Sequence, residues 1–257
     1  MSVRDQQPDQ ESPDVETRQV VAAFDLDGTL TSGGSVWQFL VYIAGRARVL
    51  LAGLVDLPKL SIAAVAGGSA NDSAKEALYL RVLRGRDASD VSRRAAEFGL
   101  SHFRSRVRTE VRDRLEWHKA QGHRVVVVSA SPEIYVGAVA AELEADAVIA
   151  TRLEVGEDGR LTGHYEGKNC RGPEKERRLR EWIAGETSAS ANGTRSEPFV
   201  WAYGNSAGDL EMLREADVGV NVGRLGHLGK LRGFRSLTGV SGPDQPGTDA
   251  AATTLPS

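Results

Sequence analysis

The chain has 257 residues, with 32 Lys and Arg against 35 Asp and Glu, and 40% of its residues are hydrophobic. A single Cys excludes a disulfide framework and a Cys-rich zinc site, and the five His are scattered, with no pair at metal-ligand spacing. A formal charge of −3 and 6% aromatics give no argument for nucleic acid, and no nucleic-acid partner is expected.

The total hides a distribution. Residues 1–18 sum to −3 and residues 239–257 to −2, while residues 33–115 carry +6. Residues 1–18 and 239–257 are polar with little to bury and read as disordered tails. The start carries acids where a signal peptide has basic and then apolar residues. Residues 36–66 are apolar but interrupted by Arg46, Arg48, Asp56 and Lys59, so no membrane span is expected. A cytoplasmic protein is the expectation.

Gln19–Phe24 is a short apolar run that reads as a buried strand ending in a polar loop. Residues 36–115 are helix-like, with breaks expected near Pro58, Gly67–Gly68, Gly85 and Gly99. Asn71 or Asp72 is placed to cap a helix running through Lys75–Leu83. Strand character returns at Arg124–Val128, followed by a helix at Ile134–Leu143 and a third strand at Ala147–Ala150. Residues 152–166 alternate around Asp158-Gly159, a hairpin signal. Pro173–Ile183 reads as a charged amphipathic helix and Glu186–Glu197 as a polar loop. Phe199–Tyr203 is another strand, Asp209–Ala216 a helix and Val218–Val220 a last strand.

Short strands alternating with helices predict an α/β fold, a Rossmann-like doubly wound parallel sheet. The helical stretch 33–115 interrupts the alternation and reads as an inserted all-helical cap. The core is then 19–32 and 116–238. The polar clusters all follow strands, and such sheets bind ligands at the carboxyl ends of their strands. Asp25, Asp27, Ser129, Asn205 and Asp209 are thereby predicted to meet. Asp and Gly at a strand end are common turn residues. Two carboxylates two residues apart repel, however, unless a cation or a shared proton lies between them.

The clusters together resemble the haloacid dehalogenase superfamily of hydrolases, in the subfamily IB branch that contains phosphoserine phosphatase. The resemblance lies in Asp25-Leu26-Asp27-Gly28-Thr29, in the strand ending at Ser129, in Lys175 at a helix start, and in Gly204-Asn205-Ser206-Ala207-Gly208-Asp209. It spans about residues 19 to 222. It implies Asp25 as nucleophile, Asp27 as general acid and base, and Ser129, Ala130 and Lys175 as phosphate-binding groups. It also implies Mg²⁺ held by Asp25, Asp27, Asn205 and Asp209. The implied activity is phosphomonoester hydrolysis through an aspartyl phosphate, with phosphotransfer or a regulatory role on the same scaffold as alternatives.

Two departures bear on that reading. Asn205 stands where the family usually has Asp, so its amide oxygen would ligate Mg²⁺ without a formal charge. Gly34 stands where phosphoserine phosphatases carry an acid for the substrate ammonium, which disfavours phosphoserine. Val36–Ala66 reads either as the core of a helical hairpin or as an apolar surface for a lipid phosphate and peripheral membrane contact. The basic run Gly223–Arg235 reads as a solvated segment over the sheet edge, with an acidic partner, a membrane surface or nucleic acid as alternatives, the last disfavoured because aromatics are sparse. Cys170 reads as a packing residue.

Overall fold

The computed structural model describes residues 18–55, 68–189, 197–223 and 231–237. A six-stranded sheet has the order β3-β2-β1-β6-β7-β8 and is parallel throughout. Its strands are β1 (Val20–Phe24), β2 (Arg124–Pro132), β3 (Ala147–Thr151), β6 (Phe199–Gly204), β7 (Val218–Asn221) and β8 (Arg235–Ser236). β4 (Leu153–Val155) and β5 (Leu161–Tyr165) form a separate antiparallel hairpin. The turn at Asp158-Gly159 lies between them as the sequence predicts.

Alternation along the strands explains why the sheet is buried on both faces. Val20, Ala22 and Phe24 of β1 and Val125 and Val127 of β2 enter one core, which also takes in Leu40, Tyr79, Phe98 and Tyr135. Val21, Ala23, Val126 and Val128 enter the other, with Leu179, Leu210 and Met212. A one-residue slip of β1 would exchange its two faces, so the register is firmly specified. β1 lies between β2 and β6, where the strand order reverses. Such a switch point opens a crevice at the carboxyl ends of the strands.

Five helices separate β1 from β2 among the described residues: α1 (Val36–Ala44), α2 (Arg46–Val55), α3 (Gly68–Leu83), α4 (Ala88–Arg106) and α5 (Thr109–Ala120). α6 (Glu133–Glu142), α7 (Pro173–Ala189) and α8 (Leu210–Glu215) complete the alternation. Asp87 caps α4, its carboxylate accepting from the N–H of Asp90 at 2.9 Å.

Four expectations change. α7 runs to Ala189, so Glu186 lies in a helix and not in the expected polar loop, of which residues 190–196 lie outside the described residues. Gly99 does not break a helix, because α4 runs through it and presses on α6. A Cβ there would lie 2.7 Å from the Tyr135 carbonyl oxygen. α3 starts at Gly68, so Asp72 lies inside it and is no cap. The Asp72 carboxylate instead accepts from Asn169 Nδ2 at 2.6 Å. β8 extends the sheet by one short strand beyond Val218–Val220.

The apolar run in α1 and α2 divides. Phe39, Leu40, Ile43, Val49 and Ala52 are buried, while Trp37, Tyr42, Leu50, Leu51, Leu54 and Val55 are exposed. Pro58, Lys59, residues 224–230 of the basic run and both tails apart from Arg18 lie outside the described residues. Among the described residues no helix is long and apolar enough to cross a membrane.

Candidate active site

β1 delivers Asp25 to the crevice, and the N–H of Asp25 still donates to the Tyr203 carbonyl of β6 at 3.0 Å. α7 delivers Lys175 from the facing side. Its ammonium donates to Asp25 Oδ1 at 2.6 Å, to Asp209 Oδ1 at 2.6 Å and to the Val128 carbonyl at 2.9 Å. All three of its protons therefore have an acceptor. Burial alone would lower the Lys175 pKa, but the carboxylates of Asp209 and Asp25 outweigh it and hold the side chain protonated. One cation shared between two buried carboxylates leaves a negative excess. Burial and the neighbouring Asp209 charge accordingly push Asp25 up to about 7, against the pull of Lys175.

Asp209 stands at the N-cap of α8, yet its side chain does not cap that helix. Its Oδ2 accepts from the N–H groups of Asn205 and Ser206 at 3.2 and 3.0 Å and from the Ser206 hydroxyl at 2.8 Å. The carboxylate thus folds back and shapes the turn that leaves β6.

Asp27 has different partners. Its Oδ2 accepts from the Ser131 hydroxyl at 2.6 Å and from the Ser35 hydroxyl at 2.8 Å. Ser35 also lies 2.7 Å from the Tyr135 hydroxyl. Its Oδ1 is buried with no hydrogen-bond partner among the described residues. One oxygen is pinned and the other is left for something that enters the site. Ser35 precedes α1 but makes no capping bond, because its hydroxyl goes to Asp27.

Asn205 lies against the first loop. Its Oδ1 accepts from the Thr29 hydroxyl at 3.2 Å. Gly28 has φ +86°, and a Cβ there would fall 2.2 Å from Asn205 Nδ2, so only glycine fits. Ser129 and Ala130 line the crevice at the end of β2, and the Ser129 hydroxyl accepts from the N–H of Ser131 at 3.1 Å.

These groups close around a cavity of about 120 Å³ lined by Asp25, Asp27, Ser129, Lys175 and Asp209, among others. The sequence-predicted residues therefore meet, except that Asn205 stands beside the cavity and does not line it. Lys75, Arg171 and Ser131 also line it and carried no site signal in the sequence. Lys75 sits mid-helix in α3, where a Lys reads as a solvated charge. Ser131 was visible only as the second Ser of the Ser-Ala-Ser run. Cys170 is buried, and burial pushes its thiol up to about 11, which suits packing and not nucleophilic attack.

Among the described residues no three Asp, Glu, His or Cys side chains converge as a ready metal cage. The donor set is oxygen only, with two buried carboxylates sharing one ammonium. That fits a hard cation that keeps several waters.

A family model described as haloacid dehalogenase-like hydrolase matches residues 22–214. Protein CicA of Caulobacter vibrioides is 34% identical over 77% of this chain and 83% of its own length. A histidinol-phosphatase of Neisseria meningitidis is 26% identical over 76% of this chain and 86% of its own. A phospho-aspartyl intermediate analogue of phosphoserine phosphatase shares the fold, with a TM-score of 0.54 and 20% identity over 80% of this chain and 87% of that one.

Proposed function

The chain belongs to the haloacid dehalogenase-like hydrolases, and from that premise we propose that it is a Mg²⁺-dependent phosphomonoester hydrolase working through an aspartyl phosphate. The supporting observation is the contrast between the two acids of the first loop. Asp25 faces an ammonium, and Asp27 is held by two hydroxyls with one oxygen left over.

In this reading a carboxylate oxygen of Asp25 attacks phosphorus in line with the departing alkoxide. Lys175 neutralises the charge that gathers on the phosphoryl oxygens and keeps Asp25 from drifting. The Ser129 hydroxyl and the N–H of Ala130 hold those oxygens. Asp27 gives its proton to the leaving alkoxide. It then takes one from the water that splits the aspartyl phosphate into free Asp25 and inorganic phosphate. Mg²⁺, with the Asp25 carboxylate, the Asp27 carbonyl and Asn205 or Asp209 as its protein ligands, would supply further charge neutralisation at the phosphoryl group.

The substrate in this reading is not phosphoserine, because among the described residues no acid other than Asp25, Asp27 and Asp209 lines the cavity. The exposed apolar side chains of α1 and α2 favour a second reading, a lipid phosphate lying on that face. Turnover of lysophosphatidate no better than of small phosphomonoesters removes it. Hydrolysis of p-nitrophenyl phosphate with and without Mg²⁺ tests the main proposal. Asp25→Asn is expected to abolish turnover. Equal activity in wild type and Asp25→Asn would sink the mechanism. An inactive wild type rescued by Asn205→Asp would favour a regulatory role instead.

A further inference from the structure

Two cations in the cavity are left over by the phosphoryl chemistry. Lys75 reaches in from α3 and donates to the Ala130 carbonyl at 2.5 Å. That bond uses one of the three donors on an ammonium. Arg171 lines the same cavity, and its guanidinium makes no hydrogen bond or ion pair among the described residues. None of the nearby carboxylates makes a hydrogen bond or ion pair to either cation, and only Oδ1 of Asp27, the oxygen that serves the leaving group, has no partner among the described residues. Asp25 and Asp209 hold Lys175, and Asp27 accepts from Ser35 and Ser131. Asp72, inside α3, accepts from Asn169.

We propose that Lys75 and Arg171 form a subsite for a second anionic group, so that the substrate is a short phosphorylated hydroxy acid with its carboxylate close to the phosphoryl group. An ammonium with unused donors inside protein is costly unless an anion completes it. A guanidinium fork matches a carboxylate in two parallel hydrogen bonds. Size points the same way. A cavity of about 120 Å³ is well below the ~300–1,000 Å³ of sites for drug-sized ligands. Among the described residues that line it only Val36 and Ala130 carry apolar side chains, so these offer little to a long hydrocarbon leaving group. Gly34 supplies no acid for an ammonium.

The inference rests on the hydrolase reading, and three esters of near-equal size test it. 2-Phosphoglycolate, 2-hydroxyethyl phosphate and phosphoethanolamine carry a carboxylate, a hydroxyl and an ammonium on the leaving group. Wild type is expected to prefer the carboxylate ester over the hydroxyl ester in kcat/KM by about tenfold or more, as a charge-assisted hydrogen bond gives. The ammonium ester should be poorest. Lys75→Met should erase most of that preference, mainly through KM, and Lys75→Arg should keep it. Arg171→Met should lower it in the same direction. Calorimetry of the same esters on Asp25→Asn reads the subsite without turnover, and their affinities should follow the same order. A wild type that prefers the ammonium ester, or a Lys75→Met variant that lowers all three by one common factor, overturns the subsite. If no ester is turned over, the hydrolase reading fails. The subsite then stands on the calorimetric order, and equal affinities would overturn it.

Discussion

The hydroxyl of Ser131 donates to Oδ2 of Asp27 at 2.6 Å, across 104 residues of sequence. The bond fixes which carboxylate oxygen faces the incoming ester. Ser131→Ala should lower kcat by about tenfold, since the Ser35 hydroxyl still holds the same oxygen. Asp27→Asn should cost more, on the order of 10²–10⁴, because it removes the acid itself. Single-turnover kinetics on both variants read the difference. A loss as large in Ser131→Ala as in Asp27→Asn would show that Ser131 does more than orient its neighbour.

Lys175 bridges Asp25 and Asp209, and all three side chains are buried. Lys175→Met should destabilise the fold by about 3–5 kcal/mol, because it leaves two unpaired carboxylates in the interior. Adding Asp209→Asn should recover part of that stability without restoring activity. Urea denaturation measures both. A single-variant loss under about 1 kcal/mol would mean that water reaches the pair and screens it.

Much of this site was legible in the sequence, and the reason is local. Asp25, Ser129, Asn205 and Asp209 sit in short polar runs directly after apolar strands, and a parallel sheet brings strand ends together whatever the spacing between them. Lys175 was legible only through the resemblance, because a Lys in a charged helix start looks solvated. Lys75 and Ser35 could not be found that way. Their roles come from how α1 and α3 pack over the crevice, and neither helix carries that information in its periodicity. Gly99 misled for a related reason. A glycine that permits close approach of two helices looks in sequence like one that ends a helix.

Asn205 Oδ1 lies 3.2 Å from the Thr29 hydroxyl and beside Gly28. A carboxylate there could keep that hydrogen bond and add a charge to the oxygen donors. Asn205→Asp should therefore tighten Mg²⁺ binding to the ligand-free protein by about tenfold, since ligand charge tunes the affinity of such sites. Titration calorimetry measures it apart from turnover. Unchanged affinity would mean that position 205 does not reach the metal.

Lys75 gives the subsite a pH signature. Burial, helped by Lys175 and Arg171, pulls its pKa down to about 8, while Asp27 and Asp72 oppose the shift. The ammonium is thus present at neutral pH and lost as pH rises through 8. In that range kcat/KM for 2-phosphoglycolate should fall, and its ratio to 2-hydroxyethyl phosphate should fall with it. Lys75→Met should show a flat ratio. A ratio in wild type that does not change between pH 6.5 and 9.5 would contradict the assignment.

His118 ties stability to acid pH. It is buried on α5, with Nε2 2.8 Å from the Tyr203 hydroxyl and Nδ1 2.8 Å from His123 Nδ1. Burial, then the neighbouring His123 and Arg114, push its pKa down to about 3. The unfolded chain binds a proton there near pH 6.5 and the folded chain does not, so stability is fully present above 6.5. It is lost as pH falls from 6.5 toward 3, at about 1.4 kcal/mol per pH unit for this one group. Tyr203 is itself part of the frame of the site, since its ring stacks on Phe24 at 4.3 Å and its carbonyl accepts from the N–H of Asp25. His118→Phe should lower stability at pH 8, where it orphans the Tyr203 hydroxyl, yet flatten the slope between pH 6.5 and 4.5 by one proton. Denaturation in urea at four pH values gives both slopes. Parallel slopes in wild type and variant would mean that the acid sensitivity arises elsewhere.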